Sequence, residues 1–158
     1  MPRRGQVRIK EVEADPIYKN KMVTKLVNRA MRDGKKTVVQ KEVYEAFEII
    51  KKEEDDPIKV FTQALENVKP SMEVRPRRIG GAAYQVPMPV RGSRRDSLAI
   101  RWILAAANAR PNSQFKTFSQ KLAIELKDAA NGEGGAVKKK TDMERMAEAN
   151  RAFSHFRW

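Results

Sequence analysis

The sequence predicts a mainly α-helical protein, a bundle of about six helices with a protruding two-stranded β-hairpin arm between the third and fourth helices. Two observations predict this fold. Apolar residues recur at helical spacing through most of the chain, whereas only residues 70–92 alternate as strands do. Strands and helices do not alternate along the chain, which argues against βαβ units, and no internal repeat is present. We therefore expect residues 1–158 to form a single domain.

Local signals place the first two helices. The first begins near Asn20 and ends before Gly34, a residue that suits a left-handed helix stop. Thr37, followed three residues later by Gln40, is typical of a capping box and predicts a second helix over about Val38–Glu53. Its apolar residues fall on one face: Val39, Val43, Ala46, Phe47 and Ile50.

The third helix is predicted to start at a turn rich in acids. Asp56 fits the N-cap and Pro57 the first helical position, while Pro70 lies just beyond the end. The adjacent carboxylates of residues 53–56 favour a helix N-terminus more than a metal site. We expect no metal and no cofactor.

Residues 70–92 are predicted to form the arm. The first run sets Met72 and Val74 against Glu73, Arg75 and Arg77, and the second sets Tyr84, Val86, Met88 and Val90 against Gln85, Pro87 and Pro89. Gly80 and Gly81 between them can adopt the positive φ of a tight turn. Because proline cannot donate to a ladder, the prolines of both runs exclude a position inside a wider sheet.

The fourth helix is predicted over about Arg94–Ala109, with Ser93 and Asp96 as a capping pair. Its residues are apolar nearly all round, which is typical of a central helix. Trp102 is therefore expected in the core, although a surface for base stacking is the alternative.

Two helices complete the prediction. Thr117 with Gln120 fits the cap of a fifth helix, which ends at Asn131-Gly132. Gly134-Gly135 is expected to continue that break, so that the last helix lies between about Val137 and His155.

Composition excludes several classes of function. The chain has no cysteine and one histidine, His155, and it lacks a separated pair of carboxylates flanked by basic residues. General acid–base catalysis therefore has few candidate groups, and we predict that the chain is not an enzyme. No long apolar run and no apolar secretory signal are present, so we expect a soluble intracellular protein without membrane contact.

Charge indicates the partner. The net charge of +13 favours binding to a polyanion through counterion release. From residue 70 to 102 only Glu73 and Asp96 oppose a run of arginines: Arg75, Arg77, Arg78, Arg91, Arg94, Arg95 and Arg101. Arginine matches phosphate oxygens two at a time, although charges that guard an edge strand against aggregation are the alternative. Residues 41–68 are net negative and should face away from the polyanion.

Basic residues also cluster outside the arm. Residues 1–14 resemble an extended basic tail or a frayed terminus, with Arg3, Arg4, Arg8 and Lys10. Lys35 and Lys36 beside a helix N-terminus could seat a phosphate. Lys138–Lys140 are expected at the start of the last helix, where cations oppose the helix dipole unless phosphates neutralise them. Residues 153–158 mix aromatic and basic side chains, which suits stacking on RNA, docking a protein or folding back on the core.

Three stretches resemble one known family. They are residues 22–47 with their Asp33-Gly34-Lys35-Lys36 turn, the arm motif of residues 77–87, and residues 136–151. Together with the opening Met1-Pro-Arg-Arg and the closing Phe156-Arg-Trp158, they make the chain similar to the universal small-subunit ribosomal protein numbered seven, in its bacterial or organellar form.

The resemblance implies a structural ribosomal protein that binds the 3′ major domain of small-subunit RNA, nucleates assembly of the head, and lies at the subunit interface near the decoding centre. It implies neighbouring head and platform proteins as partners, a cytoplasmic or organellar ribosome as location, and in some members repression of their own messenger. A DNA-binding architectural or regulatory protein is the alternative.

Two groups of candidate residues are expected. The resemblance implies RNA contacts at Arg3, Arg4, Lys35, Lys36, Arg77, Arg78, Arg94, Arg95, Lys138, Lys139 and Lys140, and the basic charge of the tail and the arm adds Arg8, Lys10, Arg75 and Arg91. The expected neighbours of exit-site tRNA and mRNA are Gly80, Gly81, Ala82, Ala83 and Tyr84.

Overall fold

A computed structural model describes residues 11–53 and 56–157. These residues form six α-helices, a C-terminal 3₁₀ helix and one antiparallel hairpin, which confirms the predicted fold class. The elements are α1 (Lys21–Ala30), α2 (Lys36–Glu53), α3 (Pro57–Val68), β1 (Met72–Ile79), β2 (Ala82–Pro89), α4 (Ser93–Ala109), α5 (Phe118–Ala130), α6 (Gly134–Ala149) and the 3₁₀ helix (Arg151–Phe156). None of the helices in the described part of the chain is long and apolar enough to span a membrane.

The helices pack around one apolar core. Helix α4 packs on α1, α3, α5 and α6, and α5 packs on α2, α3, α4 and α6, so the central position predicted for the fourth helix is shared with the fifth. Phe47 of α2 is fully buried, with its ring 5.0 Å from Tyr18 in an edge-to-face arrangement and 5.6 Å from Phe61 of α3. Trp102 is 7% exposed, which confirms its place in the core.

Two predicted helix caps are present. Asp56 Oδ1 accepts hydrogen bonds from the backbone N–H groups of Ile58 and Lys59 at 3.0 and 3.3 Å. Thr117 Oγ1 accepts from Gln120 N at 3.4 Å. In both places a short polar side chain precedes an apolar run, and local hydrogen bonding is enough to start the helix.

Two other predicted caps are wrong. Helix α2 begins at Lys36, which places Thr37 inside the helix, and Gln40 donates to the Tyr44 hydroxyl. Helix α4 begins at Ser93 with Gly92 at the N-cap position, and because glycine has no side chain to accept a hydrogen bond, the helix lacks a side-chain cap. Asp96 instead forms ion pairs with Lys25 of α1 and with Lys69, and these tertiary contacts compete with a local cap.

The start of α6 also corrects the prediction. Gly134 begins the helix rather than continuing the break, and Glu125 Oε1 accepts a hydrogen bond from Ala136 N at 2.9 Å. A Cβ atom on Gly134 would lie 3.0 Å from Glu125 Oε1, so glycine permits this approach. The lysines of residues 138–140 therefore lie beyond the first turn, where the helix dipole opposes cations little. The last helix is also divided, since α6 ends at Ala149 and a 3₁₀ helix follows.

Charged side chains hold the loop between α4 and α5. Arg110 lies 2.7 Å from Glu125, which is 1% exposed, and also pairs with Asp128. Burial lowers the pKa of Arg110, but the hydrogen bonds to Asp128 and Glu125 outweigh burial, so the net effect is a raised pKa. Lys121 Nζ donates to Arg110 O at 2.7 Å, which ties α5 to the end of α4.

Candidate nucleic-acid interface

The arm has the predicted hairpin geometry. Strands β1 and β2 pair with Ile79 opposite Ala82, so the turn contains only Gly80 and Gly81. Their φ angles of 56° and 89° lie in the left-handed region, which two-residue hairpin turns require. The tip residues Gly80 to Ala83 are exposed and Tyr84 is half-buried. The residues expected near exit-site tRNA and mRNA therefore form the distal end of the arm.

The register decides which side chains share a face. Opposite residues of an antiparallel pair point to the same side, so Arg75 lies beside Val86 and Arg77 beside Tyr84. The apolar rows of the two strands therefore lie on opposite faces. Arg75 and Arg77 share a face with the apolar row of β2, whereas Arg78 lies on the other face. Val86 on this face is fully buried.

The C-terminal segment explains this burial. The Tyr84 ring lies 5.3 Å from Phe153 and 5.4 Å from Phe156 of the 3₁₀ helix, and Arg157 Nε donates to Pro87 O at 2.8 Å. Residues 153–157 fold back as one of the expectations had it, although the surface they cover is the arm rather than the helical core. Trp158 lies outside the described residues.

Hydrogen bonds from the body fix the root of the arm. Glu144 of α6 accepts from the backbone N and the Oγ of Ser71 at 2.9 and 2.7 Å. Burial raises the pKa of Glu144, but the hydrogen bonds from Ser71 and the charges of Lys140 and Arg95 outweigh burial and lower the pKa. Arg95 Nε donates to Pro70 O at 3.2 Å, which joins the start of α4 to the arm.

Glu73 forms ion pairs with two of the predicted RNA-binding arginines. The sequence placed it on the charged face with Arg75, yet Glu73 is only 4% exposed. Arg94 Nη2 lies 2.8 Å from Glu73 Oε2, and Arg75 Nε donates to Oε1. Two of the expected RNA contacts therefore surround a buried carboxylate, and the side chains of Arg75 and Arg94 remain 46% and 50% exposed.

The remaining predicted cations fall into separate groups. Arg78, Arg91, Lys138 and Lys139 are exposed, while Arg77 is half-buried. Lys140 is half-buried and its Nζ donates to Asn67 O at 2.9 Å. Helix α6 contacts both strands of the arm, so its lysines and the arm's arginines lie on neighbouring elements and together make one basic region, with Arg78 on the face opposite to Arg75 and Arg77. This joint surface, made by the cations of β1, the start of α4 and residues 138–140, is called the arm–α6 surface below.

Lys35 and Lys36 do not join the arm–α6 surface. Lys35 precedes α2 and Lys36 is its first residue, and both are exposed. Within the described residues α2 contacts only α1, α3 and α5. They therefore form a second basic position on another part of the molecule. Arg3, Arg4, Arg8 and Lys10 lie outside the described residues, so their prediction stays an expectation.

Sequence reasoning missed two features of this interface. Arg157 was not among the expected residues, although its donation to Pro87 O joins the chain's last segment to β2. The structural role of Glu73 was also missed. The sequence feature that could have indicated this role is that Glu73 is an acid within a run of arginines. Its partner Arg94, however, approaches it only in the folded chain.

The site holds no group of metal ligands among residues 11–53 and 56–157, where no three His, Cys, Asp or Glu side chains are close enough to hold an ion. What the arrangement offers is a row of guanidinium and ammonium groups on an anchored arm and an adjacent helix. Guanidinium groups bind phosphate oxygens and stack on bases, so the geometry suits a nucleic acid with an irregular surface.

Comparison with known proteins gives the family. The model of the family described as ribosomal protein S7p/S5e matches residues 2–151. The chain is 57% identical to small ribosomal subunit protein uS7 of Moorella thermoacetica over the full length of both. The proteins of the same name from Carboxydothermus hydrogenoformans and Thermodesulfovibrio yellowstonii are 56% and 55% identical, again over 100% of both chains. The chain therefore belongs to the ribosomal protein S7p/S5e family, whose members are structural ribosomal proteins and not enzymes, as the sequence predicted.

Proposed function

We propose that the arm–α6 surface binds the 3′ major domain of small-subunit ribosomal RNA and that this binding nucleates assembly of the head. Ribosomal RNA binding and a role in translation follow from the family. The observation that supports this surface in particular is the anchoring of the arm. Arg78 and Lys139 are exposed on two elements that contact each other, while Glu144 and Arg95 fix the arm root. Fixed cations lose less conformational entropy when they bind phosphate.

The distal end of the arm is proposed to lie near exit-site tRNA and mRNA, at the subunit interface close to the decoding centre. Gly80 to Ala83 are small and exposed, which permits close approach by an RNA backbone. Neighbouring head and platform proteins are proposed to contact other faces, and the protein is proposed to act in cytoplasmic or organellar ribosomes. Repression of its own messenger would use the same arm–α6 surface, since a messenger can offer the same phosphate pattern.

The first experiment is a binding competition at about 0.2–0.3 M salt, where non-specific phosphate contacts are weak. Labelled 3′ major-domain RNA competes with excess tRNA and excess duplex DNA for the full chain. We expect binding that survives both competitors. Equal displacement by both competitors would mean that the surface recognises charge alone, and stronger binding to duplex DNA would favour the architectural DNA-binding alternative.

A paired substitution tests the arm. Changing Arg77→Ala and Arg78→Ala together should weaken RNA binding and reduce the slope of log K against log salt by about 0.7–0.9 for each phosphate that is no longer bound. The matched control is Lys51→Ala with Lys52→Ala, which removes two exposed cations from the end of α2, away from the arm. An unchanged slope in the arginine variant would mean that these charges guard an edge strand instead.

A further inference from the structure

A buried acid lies within the most basic part of the chain. The Glu73 side chain is 6% exposed and lies on β1. Arg94 Nε donates to both of its carboxylate oxygens, at 2.9 and 2.8 Å, and Arg75 Nε donates to Oε1. A carboxylate at this position would by itself repel RNA. Its two arginine partners offset that repulsion and give Glu73 a role within the basic surface.

Arg75 and Arg94 keep N–H donors that do not bind Glu73. A guanidinium has five N–H donors, and Arg75 directs its Nε–H at Glu73 while Arg94 directs Nε–H and Nη2. Both side chains are about half exposed, and they make no other hydrogen bond or ion pair with the described residues. The remaining donors are therefore available to a ligand, and one carboxylate between two guanidiniums leaves a net charge of about +1.

The fold gives this trio its particular position. Arg75 belongs to β1 and Arg94 to the first turn of α4, and within the described residues these two elements make no backbone contact. The Glu73 carboxylate thus joins arm and body through side chains alone. It also fixes both guanidiniums on one side of the junction, because a single carboxylate oxygen accepts from both.

We propose that Glu73 is a positioning residue that holds Arg75 and Arg94 together as a clamp for one RNA phosphate. The inference rests on the proposed function and deepens it by assigning a phosphodiester ligand to this part of the arm–α6 surface. Two long side chains are ordered by Glu73 before RNA arrives, so less rotamer entropy is lost on binding. Paired guanidinium donors also match phosphate oxygens in geometry.

Whether Glu73→Gln raises or lowers RNA affinity distinguishes this positioning role from a purely electrostatic effect of the carboxylate. Removing a carboxylate from a basic surface should tighten RNA binding, because the net charge rises. The clamp predicts the opposite for Glu73→Gln: binding to 3′ major-domain RNA about tenfold weaker, as expected when one charge-assisted hydrogen bond is removed. The salt slope should fall by about 0.7–0.9, the value for one phosphate.

The matched control is Asp142→Asn on α6, which removes an acid paired with Arg145 at 2.8 Å. It should leave RNA affinity unchanged or raise it. Unchanged or tighter binding by Glu73→Gln would overturn the clamp. If the unsubstituted protein itself fails the competition with tRNA and DNA, the proposed function fails, which is a different result.

A combined variant separates the clamp from a general loosening of the arm. Glu73→Gln is added to the Arg77→Ala, Arg78→Ala variant, and RNA affinities are compared. If Glu73 serves one local phosphate, the losses of affinity add, since the sites are independent. If Glu73→Gln releases the whole arm, the arm-tip arginines no longer contribute, and their removal costs nothing further. Losses that do not add would therefore overturn the clamp.

Discussion

The helical body and the arm are held by different kinds of interaction. In the body, side chains such as Phe47, Phe61 and Leu126 are fully buried in one apolar cluster. Along the strands Met72–Ile79 and Ala82–Pro89 only Glu73, Val86 and Pro87 are buried. The body is therefore stabilised by many interchangeable apolar contacts, whereas the arm depends on a few specific ones. An isolated hairpin is marginal in water, and these contacts decide where the arm points.

The largest effect is expected in the body. Phe47→Ala should lower the free energy of unfolding by about 3–5 kcal/mol, because it removes a fully buried ring that packs on Tyr18 and Phe61. Urea denaturation followed by circular dichroism measures this change. Val38 of α2 is 56% exposed, so Val38→Ala should change the free energy of unfolding by less than about 0.5 kcal/mol. Similar destabilisation in the two variants would contradict the assigned core.

A smaller and local effect is expected where the C-terminal 3₁₀ helix covers the arm. Phe153→Ala with Phe156→Ala should lower the free energy of opening of the arm amides by about 1–3 kcal/mol, since neither ring then packs on Tyr84. Hydrogen exchange of β1 and β2 measures it. The control, Arg151→Ala, removes only an exposed ion pair with Glu148. Equal exchange in both variants would show that the arm is ordered without these rings.

The smallest effect concerns Glu144 at the arm root. Its pKa in the folded protein lies below the ordinary value of 4.5, so its contribution is fully present above that pH and is lost as pH falls through the folded pKa. At neutral pH, Glu144→Gln should cost about 0.5–1 kcal/mol of arm stability, because charge-assisted hydrogen bonds to Ser71 weaken.

The difference between Glu144→Gln and the unsubstituted protein should shrink as pH falls below 4.5 and through the lowered pKa of Glu144. Hydrogen exchange of the arm amides at several pH values tests this. A difference that stays constant across the range would mean that Glu144 is not ionised when it holds Ser71.

Two predicted helix caps that depend on neighbouring residues were correct, whereas a predicted cap whose expected partner contacts distant segments was not. Asp56 and Thr117 cap their helices as predicted, because each cap depends on residues two or three positions away. Ser93 was wrong as a cap, since α4 begins at Ser93 itself after Gly92. Its expected partner Asp96 pairs with Lys25 and Lys69 from other elements, and no local pattern reveals those partners.

The candidate site shows the same division. The sequence identified an arginine-rich first strand and the turn at Gly80-Gly81, and the hairpin confirms the turn. It placed Glu73 with the charged side chains without indicating its burial. Burial at this position requires Arg94, which follows it by twenty-one residues and approaches only when α4 starts beside the arm. An isolated buried carboxylate would be costly, and the folded chain offsets that cost with two guanidiniums.

By itself the sequence determined the helical bundle, the hairpin and the basic character of the arm, because apolar period, turn residues and charge are properties of neighbouring positions. Only the tertiary structure decided which cations stay available. Arg95 and Lys140 donate to backbone carbonyls, and Arg75 and Arg94 share Glu73. Hydrogen bonds between distant segments form only once burial of the apolar faces has brought those segments together, so their partners are set by the packing.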